Sequence, residues 1–134
     1  MNMIETNLNR KHLNEMQHRI ELFGFCSSVM DWFESFKACL YYWGKTVYGS
    51  AYRTRISKFP THFYVIGYIP DPENPDRKIH TEKIVIKLDD KTKPLQYCFY
   101  DEFENLVFAS TNIVDFAYQL HDMYPGLQIP NYKE

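Results

Sequence analysis

The sequence HFYVIGYI, residues 62–69, contains the clearest strand signal in this chain of 134 residues. It is rich in aromatic and β-branched side chains and is closed by Pro70, which is typical of a buried β-strand. A loop with three prolines follows, and IHTEKIVIKL at residues 79–88 comes next. Positions 84, 86 and 88 are Ile, Ile and Leu, whereas 83, 85 and 87 are Lys, Val and Lys. This alternation predicts a second strand in a sheet with one wet face.

Two further strands are predicted at residues 95–100 and 106–109, joined as a hairpin by the polar segment 101–105. The sheet is therefore expected to be a four-stranded, largely antiparallel meander. Residues 45–59 are ambiguous, because Tyr52, Thr54 and Ile56 alternate with Arg53 and Arg55 as in a strand, while a glycine at 49 interrupts any long element. The sequence does not determine the conformation of this segment.

Apolar residues at three- and four-residue steps predict an amphipathic helix over residues 6–25, with a stop at Gly24. A second helix is expected from an N-cap at Ser27 or Ser28 to about residue 43, ended by Gly44. Apolar side chains nearly encircle it, which indicates a central helix. Ser110, Thr111 or Asn112 is expected to cap a last helix, and Pro125-Gly126 to end it.

The order of these elements predicts a single α+β domain over residues 1–134, with the helices packed on one face of the sheet. Its expected parts are a helical region at 1–44, the sheet at 60–109, a helix at 111–124 and an extended tail at 125–134.

Composition excludes several classes of protein. Aromatic residues make up 17% of the chain, enough to support a packed core and to exclude a disordered one. Fifteen Lys and Arg against seventeen Asp and Glu give a net charge of -2, so any basic site must be local. No apolar run approaches the roughly 20 residues that cross a bilayer. Three cysteines and the absence of a leader-like start predict a cytoplasmic protein with no membrane contact.

The sequence contains no motif that defines a reaction. His12 and His18 are six residues apart on a predicted helix and would not share a metal ion. A cysteine nucleophile would require the fold to bring Cys98 beside His62 or His80. We therefore expect a protein that is not an enzyme and has no cofactor or metal.

Charge is distributed unevenly along the chain. Residues 35–70 contain five cations and no acid, and aromatic residues are interleaved with the cations. Bases stack on aromatic rings while Lys and Arg bind phosphates, so the basic aromatic stretch at residues 41–59 predicts nucleic-acid binding as one alternative. The candidate residues for that function are Lys45, Tyr48, Tyr52, Arg53, Arg55 and Lys58.

The C-terminal third has the opposite charge, with six acids and one base over residues 99–134. Such a surface can steer a basic partner protein, although solubilising charge would give the same pattern. The candidate protein-binding residues are Asp101, Glu102, Glu104, Asp115 and Asp122. The first hypothesis is thus a small non-enzymatic binding protein, of the inhibitor or immunity type encoded by phages and mobile elements. A homodimer through the apolar second helix is a further possibility that the sequence leaves open.

Overall fold

A computed structural model describes residues 8–59, 62–87 and 95–133 and confirms the α+β class. The described sheet has five strands rather than the four expected. The elements are α1 (Arg10–Phe23), α2 (Ser27–Tyr48), β1 (Arg53–Lys58), β2 (His62–Pro70), β3 (Lys78–Lys87), β4 (Gln96–Tyr100), β5 (Leu106–Ser110) and α3 (Ile113–Met123).

The five strands form one antiparallel meander in the order β1-β2-β3-β4-β5. The additional strand is β1, in the segment that the sequence left ambiguous, so the sheet begins at residue 53 and not at 60. Its register runs from Arg53 opposite Tyr68 to Lys58 opposite Phe63. The polar and apolar alternation of residues 52–56 was therefore a real strand signal, confirmed by pairing with β2.

The helices cover one face of the sheet and form the core with it. Inward-facing sheet residues such as Val65, Ile84 and Phe99 belong to one buried cluster with residues of α1, α2 and α3. The tail also joins this core, since Tyr132 is buried and the Trp32 indole donates a 2.7 Å hydrogen bond to the carbonyl of residue 130. The expectation of a central second helix is confirmed, because α2 contacts β1, β2 and α1.

The expected end of the second helix at Gly44 was wrong, because α2 continues to Tyr48. Gly44 is buried under the ring of Tyr52, and a Cβ atom on Gly44 would overlap that ring. Gly44 therefore serves close packing, and the helix ends at Gly49, whose positive φ of 94° suits glycine. Of the proposed caps, Ser27 and Ser28 lie within α2, while Asn112 caps α3 by accepting a 2.7 Å bond from the amide of the second helical residue.

Candidate functional site

The second face of the sheet, here called the open face, lies opposite the three helices. Its side chains come from residues 53, 55 and 57 of β1; 62, 64, 66, 68 and 70 of β2; 78, 80, 83, 85 and 87 of β3; 96, 98 and 100 of β4; and 106 and 109 of β5. Ile66, Val85 and Cys98 are buried on this face and do not belong to the core cluster beneath the helices. They form an apolar floor between larger side chains.

A β-bulge determines which residues of β3 reach the open face. Gly67 pairs with Glu82 and Tyr68 pairs with His80, so Thr81 is an extra residue without a partner across the strand pair. Simple alternation would place His80 on the same side as Glu82, toward the helices. Because the bulge shifts the alternation by one residue, His80 lies instead on the open face with Lys83.

Three tyrosines on the open face are each in contact with a cation. The ammonium of Lys83 lies 5.1 Å from the ring centre of Tyr64 and 5.9 Å from that of Tyr100. The ring of Tyr68 has Lys78 at 4.8 Å and the guanidinium of Arg55 at 5.9 Å. These distances are within the range of cation–π attraction. The three rings are partly exposed, so the face combines aromatic surface with positive charge.

The open face has a strong excess of positive charge. Five cations lie on it, namely Arg53, Arg55, Lys78, Lys83 and Lys87. Within the five strands the only carboxylate is Glu82, and it faces the helices. Glu104, in the β4–β5 loop, approaches the ammonium of Lys83 at 3.4 Å, but its own side chain is largely exposed. The net charge of -2 for the whole chain therefore conceals a locally basic surface.

A buried polar cluster on the helix side supports the bulge. The carboxylate of Glu82 accepts hydrogen bonds from the hydroxyls of Tyr52 at 2.7 Å, Tyr48 at 2.9 Å and Thr81 at 2.5 Å. Gly67 leaves room for the Tyr52 hydroxyl, because a Cβ atom there would collide with it. Burial, followed by the charge of Glu82, raises the pKa values of Tyr48 and Tyr52 above the ordinary phenol range. Three donors thus hold Glu82 toward the helices.

The residues predicted for nucleic-acid binding do not form one surface. Arg53 and Arg55 lie on the open face, but Lys58 ends β1 opposite a core residue. Lys45 lies in the last turn of α2, over the ring of Tyr41. The other two candidates, Tyr48 and Tyr52, are engaged with Glu82, and the ring of Tyr52 is fully buried.

The acidic candidates near the β4–β5 turn have two different roles. The side chain of Asp101 accepts 2.9 Å hydrogen bonds from the amides of Phe103 and Asn105, so it stabilises the turn itself. Glu102 and Glu104 are exposed on either side of Phe103, whose ring is 75% exposed. The turn therefore presents an exposed aromatic ring between two exposed carboxylates, of which that of Glu104 also lies 3.4 Å from the ammonium of Lys83.

The remaining acidic candidates lie on α3. Asp115 is in its first turn, where a carboxylate is favoured by the helix dipole, and Asp122 is near its last. Seven residues separate them along the helix, or about 10 Å. Asp115 also follows the end of β5 that is remote from the β4–β5 turn, so the five predicted acids do not form a single compact patch.

The cysteine arrangement considered from the sequence is not assembled. The neighbours of Cys98 across the sheet are Val85 and Ala109, and neither His62 nor His80 is paired with it. Burial raises the pKa of the Cys98 thiol, which disfavours the nucleophilic thiolate.

Sequence reasoning missed most of the open-face residues. Tyr64, Tyr68, Lys78 and Tyr100 were not selected, and Lys83 was placed on the wet face without a role. The available signal was the alternation of Tyr64 with apolar neighbours in β2, which puts its ring on the side away from the core. The same alternation places Tyr68 on that side, but its contact with Lys78 carried no signal, because it depends on pairing between β2 and β3.

Comparison with protein-family models, with curated proteins and with solved structures finds no match to this chain. Among the described residues there is no group of three or more His, Cys, Asp or Glu that could hold a metal ion. No helix in the described part of the chain is long and apolar enough to span a membrane. The function is therefore inferred from the geometry of the site.

Proposed function

We propose that this protein binds single-stranded nucleic acid on the open face of its sheet. The observation that carries the proposal is that Tyr64 and Tyr68 on β2 and Tyr100 on β4, all on the face of the sheet opposite the described helices, each have a Lys or Arg beside the ring. Partly exposed rings offer stacking platforms for unpaired bases, and adjacent cations bind the phosphates between them. Nucleic-acid binding was also predicted from the sequence as an alternative, but for a largely different set of residues.

The spacing of the rings favours a single strand. Tyr64 and Tyr68 are four residues apart on β2, which is about 13 Å. Tyr100 pairs with Lys83, which pairs with a β2 residue, so Tyr100 lies two strands away, or about 10 Å across the sheet. Separate bases can reach rings at these distances when a strand is unpaired and its bases can turn outward. A duplex keeps its bases stacked inside and offers only its backbone to such a surface.

The proposal is tested by fluorescence anisotropy with a labelled thymidine oligonucleotide, free and annealed to its complement. We expect tighter binding of the single strand. A Tyr68→Leu/Tyr100→Leu variant removes two stacking platforms at about 1 kcal/mol or more each, so its affinity should fall about 30-fold or more. A matched Tyr41→Leu/Tyr42→Leu variant removes two rings from α2 and should bind as the unaltered protein does. Equal affinity of both variants, or no binding of the single strand, would contradict the proposal.

A second candidate function, favoured by the exposed ring of Phe103 between Glu102 and Glu104, is binding of a basic partner protein at the β4–β5 turn. Aromatic anchors flanked by charge are common in protein interfaces, and an inhibitor or immunity-type protein would act in this way. This hypothesis retains the protein-binding function suggested by the sequence but restricts it to the turn.

This second candidate is tested by capture of partners from source cells after nuclease treatment. A Glu102→Lys/Glu104→Lys variant should lose a basic protein that the unaltered protein retains, and a Glu15→Lys control on α1 should keep it. Retention of the same protein by both variants would remove the turn from consideration. Asp101 is left unchanged, because it stabilises the turn.

A further inference from the structure

His80 has an unusual position on the open face. It faces Tyr68 across the strand pair only because the bulge at Thr81 shifts the alternation of β3. Its imidazole is partly buried. An ionisable side chain is thereby placed beside one of the three tyrosines at which a base is proposed to stack.

The charged groups around His80 are mainly cations from two strands. Arg55 approaches from β1, and Lys78 and Lys83 belong to β3, while Glu104 of the β4–β5 loop is the one carboxylate that acts on it among the described residues. Partial burial lowers the pKa of His80 below the ordinary imidazole value, and repulsion from Arg55 and Lys83 lowers it further. The imidazole is consequently neutral at neutral pH in the free protein.

We infer that His80 is a proton-linked phosphate contact, neutral in the free protein and protonated when a phosphate of the strand lies among Arg55, Lys78 and Lys83. This inference rests on the proposed function. A phosphate brings a negative charge into a cluster that otherwise repels the imidazolium, and it offers an acceptor for the imidazolium N–H. His80 thus adds a further cation to the site only when the ligand is present.

The direction of the pH dependence follows from linkage. Because the bound phosphate favours the protonated imidazole, the pKa of His80 is higher in the complex than in the free protein. Binding then takes up protons in the range between these two values, and affinity rises as the pH falls through it. Each unit by which the pKa rises corresponds to about a tenfold gain in affinity at low pH.

The test measures the affinity for a thymidine oligonucleotide without terminal phosphate, from about pH 8 to about pH 5.5 at constant ionic strength. Thymine and the phosphodiester do not titrate in this range, so the proton belongs to the protein. We expect affinity to rise toward low pH for the unaltered protein and for a His18→Gln control on α1. A His80→Gln variant should stay at the high-pH affinity throughout. Equal pH profiles for His80→Gln and the unaltered protein would overturn the inference.

A titration of the unaltered protein by nuclear magnetic resonance tests the same inference without a variant. The imidazole signal of His80 should titrate at higher pH when the oligonucleotide is bound than when it is absent. An unchanged titration in a complex that does form overturns the proton linkage and leaves the proposed function standing. Absence of binding at every pH overturns the proposed function, and the inference falls with it.

Discussion

Neutralising the cations of the open face should change the salt dependence of binding by a calculable amount. Binding to single strands weakens with salt with a slope of about -0.7 in log–log form for each phosphate contacted. If the three cations at the tyrosine rings each contact a phosphate, the slope is about -2; if all five cations of the face do so, it is about -3.5. A fourfold rise in salt, from about 50 to about 200 mM, should then weaken binding by about 20- to 130-fold.

The perturbation is the triple substitution Arg55→Gln, Lys78→Gln and Lys83→Gln. These side chains lie on the open face, outside the core, so the fold should persist, and circular dichroism would verify it. The slope should become less negative by about 2, since three counterion-releasing contacts are removed. Affinity is measured by fluorescence anisotropy with the thymidine oligonucleotide at four or more salt concentrations.

A matched control neutralises Lys11, Lys37 and Lys45, which lie on α1 and α2. It changes the net charge of the protein by the same amount but leaves the open face intact, so its slope should remain that of the unaltered protein. If the control loses as much slope as the open-face variant, the attraction is a property of overall charge or lies on the helices. An equal loss of slope in the two variants would refute the assignment of the basic site to the open face. A slope near zero for the unaltered protein would refute it as well.

Three predictions concern the framework that holds the site. In an ordinary helix interior a Gly→Ala substitution is stabilising by about 1 kcal/mol. Gly44→Ala should instead destabilise this protein by about 2 kcal/mol, because the new Cβ atom overlaps the ring of Tyr52. A raised midpoint of thermal unfolding would show that this contact is absent. Gln17→Leu should lower the free energy of unfolding in urea by about 2 kcal/mol or more. The side-chain carbonyl of Gln17 accepts hydrogen bonds from a buried tyrosine hydroxyl at 3.0 Å and from the first amide of α3 at 2.8 Å, and the substitution leaves both donors without a partner. An unchanged urea midpoint would argue against this network. Burial, with nearby carboxylates, raises the pKa of Tyr124 to about 12, above the ordinary phenol value of about 10, so the neutral phenol stabilises the folded state fully below pH 10 and this stability is lost as the pH rises toward 12. Urea midpoints between pH 8 and pH 11.5 should decline above about pH 10, and less steeply in a Tyr124→Phe variant than in the unaltered protein; equal slopes would exclude the effect.

Local periodicity was sufficient for most of the architecture. The alternation of residues 83–87 correctly separated the core side of β3 from its wet side, and the three- and four-residue steps of the helices identified their buried faces. These patterns are predictive because the side chains of one helix or strand turn toward the core or away from it at a fixed period along the chain. The same reasoning stopped the second helix too early, because Gly44 is explained by a contact with Tyr52, which is eight residues further along the chain and outside that helix.

The candidate site depended on contacts between strands. Arg55, Tyr68 and Lys83 come from β1, β2 and β3, and the register of two strand pairs places Arg55 and Lys83 on either side of Ile66, two residues from Tyr68 on β2. The alternation of β3, extended toward its start, would have turned His80 to the core, and only the bulge at Thr81 reverses it. A bulge arises from the pairing of two strands and has no marker of its own in this sequence.

The amino-acid sequence by itself thus determined the α+β class, the order of the elements apart from β1, and the separation of a basic segment from an acidic one, since these follow from side chains close together in the chain. The tertiary structure decided which tyrosines are buried and which lie beside cations. It also decided that the basic surface is the open face rather than the continuous stretch at residues 41–59. The physical reason is that burial and register are set by partners far away in sequence, and one residue of offset in a strand moves a side chain from one face of the sheet to the other.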